Sequence, residues 1–117
     1  MKRSILIYVD DIIEYMGRAV AYIEGLSFSE FSIDQKTCDA VIRCLEVIGE
    51  ATKQIPEEVR ARYPLIPWRA MAGMRDKIIH SYFMVDYEAV WLVIKEDIPE
   101  LKPLIKQIRD SHADGNE

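Results

Sequence analysis

The sequence predicts an all-α protein, an up-and-down helical bundle of five to six helices forming one domain. Three observations carry that expectation. Apolar residues recur at three- and four-residue steps over most of the chain, which is the period of an amphipathic helix. No stretch alternates apolar and polar residues as a half-buried strand would, and no internal repeat is present. Half of the 117 residues are hydrophobic, while glycine and proline number five each, so the chain can build one core but is too short for two.

The first helix is expected from residue 5 to residue 23. Ile5, Val9, Ile12, Ile13, Met16, Val20 and Ile23 form its stripe, Asp10, Asp11, Glu14 and Arg18 lie on other faces, and Gly25 supplies the stop. Leu26 to Ser32 reads as a connector whose Phe28 and Phe31 tuck against the bundle. Asp34 is placed to cap a second helix, with Thr37 three positions on, and Cys38, Val41, Ile42, Leu45 and Ile48 give that helix its stripe as far as about Gln54. Gly49 followed by Ala51 points to the close approach of a neighbouring helix. Glu46 and Glu50 lie four apart with the same charge, so a base from another helix is expected beside them.

Pro56 to Arg60 reads as a short helical turn with proline first, acids early and bases late, an order that suits the helix dipole. Pro64 and Pro67 forbid its continuation, and Pro67 opens a helix bearing Trp68, Met71, Ala72, Ile78 and Ile79. Trp68, in the first turn, is expected as a core anchor rather than a base-stacking residue. Phe83 to Asp86 reads as a connector, and Asp86 as the cap of a helix carrying Val90, Trp91, Val93 and Ile94. Asp97, Pro99 and Pro103 mark a break and a new start, after which Leu101, Leu104, Ile105 and Ile108 make the last stripe. The domain is therefore drawn over residues 1–108. Residues 109–117 are expected to be a polar, frayed tail in which His112 is a bystander.

No apolar run approaches the roughly 20 residues needed to cross a bilayer, and the start, Met1 to Ile7, imitates a signal peptide only until Asp10, Asp11 and Glu14 interrupt it. A cytoplasmic location without membrane association is the resulting expectation. Cys38 and Cys44, six apart and outside any Cys-x-x-Cys pair, are expected to be reduced residues of the core. Two histidines far apart, with no ligand spacing, predict no metal site. The net charge of −5 argues against a general nucleic-acid binder. Between residues 53 and 80, however, six basic residues stand against three acidic ones, a net +3 that leaves −8 for the rest. Either a basic surface surrounds this stretch or the clustering is confined to the sequence.

The chemistry-bearing residues lie within Met74 to Phe83. Arg75 offers a guanidinium shaped for phosphate oxygens, His80 an imidazole that titrates near neutrality, and Asp76 a carboxylate able to orient either. On a continuous helix Asp76 and His80 are i and i+4 and share a face, whereas Arg75 and His80 stand roughly 140° apart. Asp76 is thus expected to orient His80, and Arg75 to act around the helix or at a site completed by a second subunit. Tyr82, seven residues after Arg75, falls on the arginine's face if the helix runs that far. The same residues also fit a plain structural reading, a helix-end histidine satisfied by Asp76 with Arg75 as a salt-bridge partner.

An arginine, a polar residue, three more residues and a histidine near a helix end resembles the HEPN superfamily. The version with His-x-Tyr is similar to its HepT branch, the ribonuclease toxins of HepT/MntA toxin-antitoxin pairs. The likeness extends to Ile48-Gly49-Glu50-Ala51, Ile66-Pro67-Trp68, Val85-Asp86, Val90-Trp91 and Ile98-Pro99-Glu100-Leu101, and so spans residues 5 to 108. The resemblance implies an HEPN-like homodimer that cleaves RNA as an endonuclease without metal or other cofactor, His80 serving as general base and Arg75 stabilising charge on the phosphorane. Asp76 completes that catalytic set, and Lys77 and Arg69 are the further bases expected to bind substrate. The resemblance also implies a partner in a type VII-like pair, an MntA-like minimal nucleotidyltransferase antitoxin that attaches AMP to Tyr82. Asp76 departs from the asparagine common in the family, and its carboxylate would raise the histidine's proton affinity while repelling RNA. Two other functions stay open: a non-catalytic HEPN partner or nucleotide-binding subunit of a nucleotidyltransferase, and a helical dimerisation module without ligand.

Overall fold

The stripe of residues 5 to 23 folds as a single helix, α1 (Ile5–Ile23), because Val9, Ile12, Ile13, Met16, Ala19 and Ile23 recur on one face and are buried there. The Ser4 hydroxyl accepts from the Leu6 N–H at its start, and Gly25 takes the left-handed conformation just past its end (φ 83°). This computed structural model describes residues 4–81 and 84–113 of the chain. Among them the elements following α1 are α2 (Phe28–Ile33), α3 (Gln35–Lys53), α4 (Glu57–Arg62), α5 (Trp68–Ala72) and α6 (Met74–Ile78). Strands β1 (Ile79–Ser81) and β2 (Met84–Val85), then α7 (Tyr87–Leu92), a π-helical turn (Val93–Asp97) and α8 (Ile98–Ala113), complete the order.

The architecture is the expected all-α bundle. Helix α1 packs along α3 and α8, and α3 carries α5 and α6 on another side. Phe31, Leu45, Ile48, Met71, Ile78, Ile94, Ile98, Ile105 and Ile108 are fully enclosed between these elements. Asp34 caps α3 as the sequence indicates, accepting the Thr37 N–H at 3.1 Å and the Thr37 hydroxyl at 2.8 Å. α5 packs directly on α3 at Gly49, where a Cβ would stand 3.4 and 3.5 Å from the carbonyl oxygens of Met71 and Ala72, an ordinary contact distance. Cys38 and Cys44 are buried free thiols, and the Cys38 thiol donates to the Phe31 carbonyl at 3.1 Å. Trp68 is buried, with its indole N–H shared between the carbonyls of Arg60 and Tyr63 at 3.2 and 3.1 Å.

The structure corrects the sequence reading where local chemistry overrides periodicity. The connector after α1 contains α2, made helical by a reciprocal cap in which Ser27 and Glu30 each bond the other's backbone N–H. Phe28 and Phe31 then meet Trp91 at ring-centroid distances of 5.8 and 5.4 Å. The helix opened by Pro67 divides at Gly73 into α5 and α6, because glycine gains little from helical geometry. These two changes raise the helix number above the expected five to six. The break expected at Asp97, Pro99 and Pro103 is absent, and the backbone stays helical from 87 to 113. A wider π turn accommodates Pro99: the Ile98 N–H donates to the Val93 carbonyl five residues back, just where Pro99 can neither donate nor fit against a tight turn, while Pro103 sits within α8. Helix α8 runs on to Ala113, and His112 is buried with Nδ1 2.9 Å from the Ile108 carbonyl oxygen, so neither belongs to a frayed tail.

Among the described residues no helix is long and apolar enough to cross a membrane.

Candidate active site

Arg75 stands in the short helix α6, which Met74 and Ile78 anchor by burying their side chains. Its side chain remains 60% exposed and turns toward α3, where Nε donates to Glu46 Oε2 at 3.3 Å. This is the base that the like-charged pair Glu46 and Glu50 required. Glu50 bonds Lys53 at 2.8 Å, and its carboxyl is held below the usual range by that hydrogen bond, then by the Lys53 charge and, more weakly, by Arg75. Among the described residues no acceptor other than Glu46 meets the Arg75 guanidinium, so its remaining N–H groups can address a ligand.

His80 is not on a helix. Helix α6 ends at Ile78, the chain enters β1, and β1 pairs antiparallel with β2, contrary to the expectation of a helix reaching His80 and then a connector without strands. Ile79 pairs with Val85 and Ser81 with Met84, so two steps on one strand match one on the other and His80 is the additional residue of a bulge. The helical spacing that put Asp76 and His80 on one face therefore does not apply. Among the described residues Asp76 makes no ion pair, and the carboxylate facing His80 is Asp86, with 3.6 Å between Oδ2 and Nε2. At that length the contact is an ion-pair distance rather than a hydrogen bond. The imidazole is 57% exposed.

Asp86 was legible as a helix cap, and it is one: Oδ1 accepts the Ala89 N–H at 2.9 Å. Its backbone N–H also donates to the Ile78 carbonyl at 2.8 Å, closing the hairpin onto the end of α6. The cap bond is the first cause that holds the Asp86 carboxyl below the usual range, with His80 assisting and partial burial opposing. Its second role, facing His80, lay outside the reach of sequence periodicity because it depends on the hairpin.

The remaining site candidates are dispersed. Lys77 reaches Asp97 at 3.5 Å and borders an apolar cleft of about 220 Å³ between α5, α6, the π turn and α8. Arg69 is exposed on α5, in a shallow depression with Glu57, Arg60 and Trp68. Arg60 is committed to structure, donating to the carbonyls of Thr52, in the last turn of α3, and Ile55, just past it, at 2.9 and 3.0 Å. The net +3 of the sequence stretch is thus largely paired with acids or helix ends and does not form one basic face. Tyr82, the expected AMP acceptor, lies outside the described residues.

The family profile described as Ribonuclease HepT-like matches residues 12–108. A protein of Thermococcus cleftensis named "Probable ribonuclease HepT" is 48% identical over 93% of this chain and 99% of its own length. Two proteins of Methanocaldococcus jannaschii, named "Putative RNase MJ1216" and "Putative RNase MJ0125", are each 47% identical over 92% of this chain, covering 88% and 92% of their own lengths. No solved structure matches the chain. With the profile spanning most of the domain and carrying Arg75, His80 and Asp86 within it, the chain belongs to the HepT-like ribonuclease family.

Proposed function

We propose that the chain is an RNA endonuclease that cleaves without a metal ion, with His80 and Arg75 as its catalytic residues. The observation that carries this reading is the family match together with an imidazole and a guanidinium five residues apart, each more than half exposed and each tethered by a single carboxylate. His80 takes the proton of a ribose 2′-hydroxyl, the oxygen attacks the adjacent phosphorus, and the bond to the 5′-oxygen breaks as that oxygen gains a proton. The products are a 2′,3′-cyclic phosphate and a 5′-hydroxyl. Arg75 holds the charge that develops on the phosphorane oxygens. One histidine cannot serve as base and acid in the same step, so two copies in a homodimer divide the roles across a composite cleft. Asp76 contributes a charge that tunes the cleft, while Lys77 and Arg69 guide the RNA backbone from its margins.

Regulation follows the same chemistry. A minimal nucleotidyltransferase partner, the antitoxin of the pair, transfers AMP from ATP to the Tyr82 hydroxyl with release of pyrophosphate. The added phosphate pairs with Arg75 and occupies the space that the RNA needs. Both reactions belong in the cytoplasm, where transcripts and ATP are found.

One observation favours a second reading. Glu46 already holds Arg75, and Asp76 adds negative charge beside it, as would suit a non-catalytic HEPN subunit docked to a nucleotidyltransferase. Purified wild type and His80→Ala, incubated with RNA in chelator after mass spectrometry has established that Tyr82 is unmodified, separate the two. Cleavage by wild type alone supports the nuclease; equal cleavage, or none by either, rejects it. A mass shift of AMP on Tyr82 only with the partner and ATP supports the regulation, and a shift mapped elsewhere removes it.

A further inference from the structure

On the ribonuclease reading, on which this role depends, His80 must present one ring nitrogen to a ribose hydroxyl, and the geometry points to Asp86 as the residue that positions it. Two bonds and the helix that follows prepare the carboxylate for that task. The Asp86 N–H is fixed to the Ile78 carbonyl at 2.8 Å, Oδ1 is occupied by the Ala89 N–H at 2.9 Å, and Asp86 stands one residue before α7, so the rigid first turn of that helix sets its direction. Oδ2 faces Nε2 of His80 at 3.6 Å. The bulge at His80 turns the imidazole out of the regular strand alternation toward this oxygen.

The arrangement selects a proton route. With Nε2–H directed at Asp86, Nδ1 is the nitrogen turned outward to take the 2′-hydroxyl proton. The imidazolium then formed is balanced by a carboxylate that stays ionised, because the cap bond holds its proton affinity low. Asp86 takes no proton itself. Among the described residues no other charged side chain lies within ion-pair range of His80; of the bases on α6, Arg75 is engaged by Glu46 and Lys77 by Asp97. Asp76, the carboxylate that helical spacing nominates, sits in α6 ahead of the point where the helix ends.

Asparagine caps helices as well as aspartate does, so Asp86→Asn removes the charge and keeps the cap. The test is RNA cleavage by unmodified wild type, Asp86→Asn and Asp76→Asn, with kcat and KM measured separately and kcat followed against pH. Asp86→Asn is expected to lower kcat roughly tenfold with KM unchanged. Asp76→Asn is expected to lower kcat less. An unchanged kcat in Asp86→Asn, or a larger fall in Asp76→Asn, overturns the assignment. Asp86→Ser, which also caps, gives the same reading should the asparagine variant fail to fold. Failure of the ribonuclease reading shows separately, as His80→Ala cleaving like wild type.

Discussion

The packed trio α1, α3 and α8 and the segment from Gly73 to Asp86 obey different rules. The trio rests on long apolar stripes that bury Ile12, Met16, Leu45, Ile48, Ile105 and Ile108 completely, and Asp34 caps α3 where helix chemistry puts it. The segment breaks regularity twice within a few residues, at the Gly73 division and at the His80 bulge, and the π turn that packs beside it is a third departure. Its Arg75, Lys77 and His80 are each more than half exposed and each faces a single carboxylate among the described residues. On the proposed ribonuclease reading the first region carries stability and the second chemistry, since a side chain that must meet a substrate cannot also be locked in a core.

That division can be broken at either end. The largest expected effect is on the segment: His80→Ala lowers cleavage by roughly 10²- to 10⁴-fold, while its melting temperature stays at the wild-type value because the side chain is exposed. A fall in melting temperature of many degrees would show that the histidine carries structure instead. The counterpart in the trio is Ile48→Ala, which leaves a cavity at a fully buried position and is expected to destabilise the domain by about 2–5 kcal/mol. Chemical denaturation measures it, and cleavage by the fraction that remains folded should be unchanged.

A smaller effect is expected at the contact joining the two regions. Glu46→Gln frees Arg75 from its only carboxylate among the described residues, and RNA should bind a few-fold tighter, with a steeper dependence on salt. Stability should change by less than about 1 kcal/mol, as for an exposed pair. Fluorescence anisotropy with a labelled RNA, using the His80→Ala background to prevent cleavage, reads both affinity and salt slope; weaker binding would show that Glu46 positions Arg75 rather than competing for it.

How far the chain could be read follows the same line. The bounds of α1, the Asp34 cap, the close approach at Gly49, the buried Trp68 and the need for a base beside Glu46 and Glu50 were all legible, because each depends on spacing within one helix. Asp86 facing His80 was not, since the contact needs a two-stranded hairpin whose strands are too short to show alternation. The helical run through Pro99 escaped for a related reason: a π turn has no marker in the apolar period. Asp76 was nominated by assuming that α6 continues past Ile78, and the error lies in that single step.

The smallest effect concerns pH and the trio. Thr37 holds the Asp34 carboxyl below its usual range, first through its backbone N–H and then through its hydroxyl. A depressed folded-state value means that the contribution is complete above the unfolded value near pH 4 and is lost as the pH falls through the folded one. Asp34→Asn keeps the cap and abolishes this titration, so its stability should fall less steeply than wild type on acidification below about pH 4. An identical acid limb would place the sensitive carboxylate elsewhere, with Asp86, which is depressed for the same reason, the next to replace.

The pairing of an imidazole base with a guanidinium is tested most directly by the ends it leaves on RNA. Wild-type chain with unmodified Tyr82 should release fragments bearing 2′,3′-cyclic phosphate and 5′-hydroxyl termini, and a substrate with a single 2′-deoxyribose at the cleaved position should resist. Fragments with 3′-hydroxyl and 5′-phosphate termini, or equal cutting of the deoxy-substituted RNA, would contradict attack by the ribose hydroxyl and with it the role given to His80.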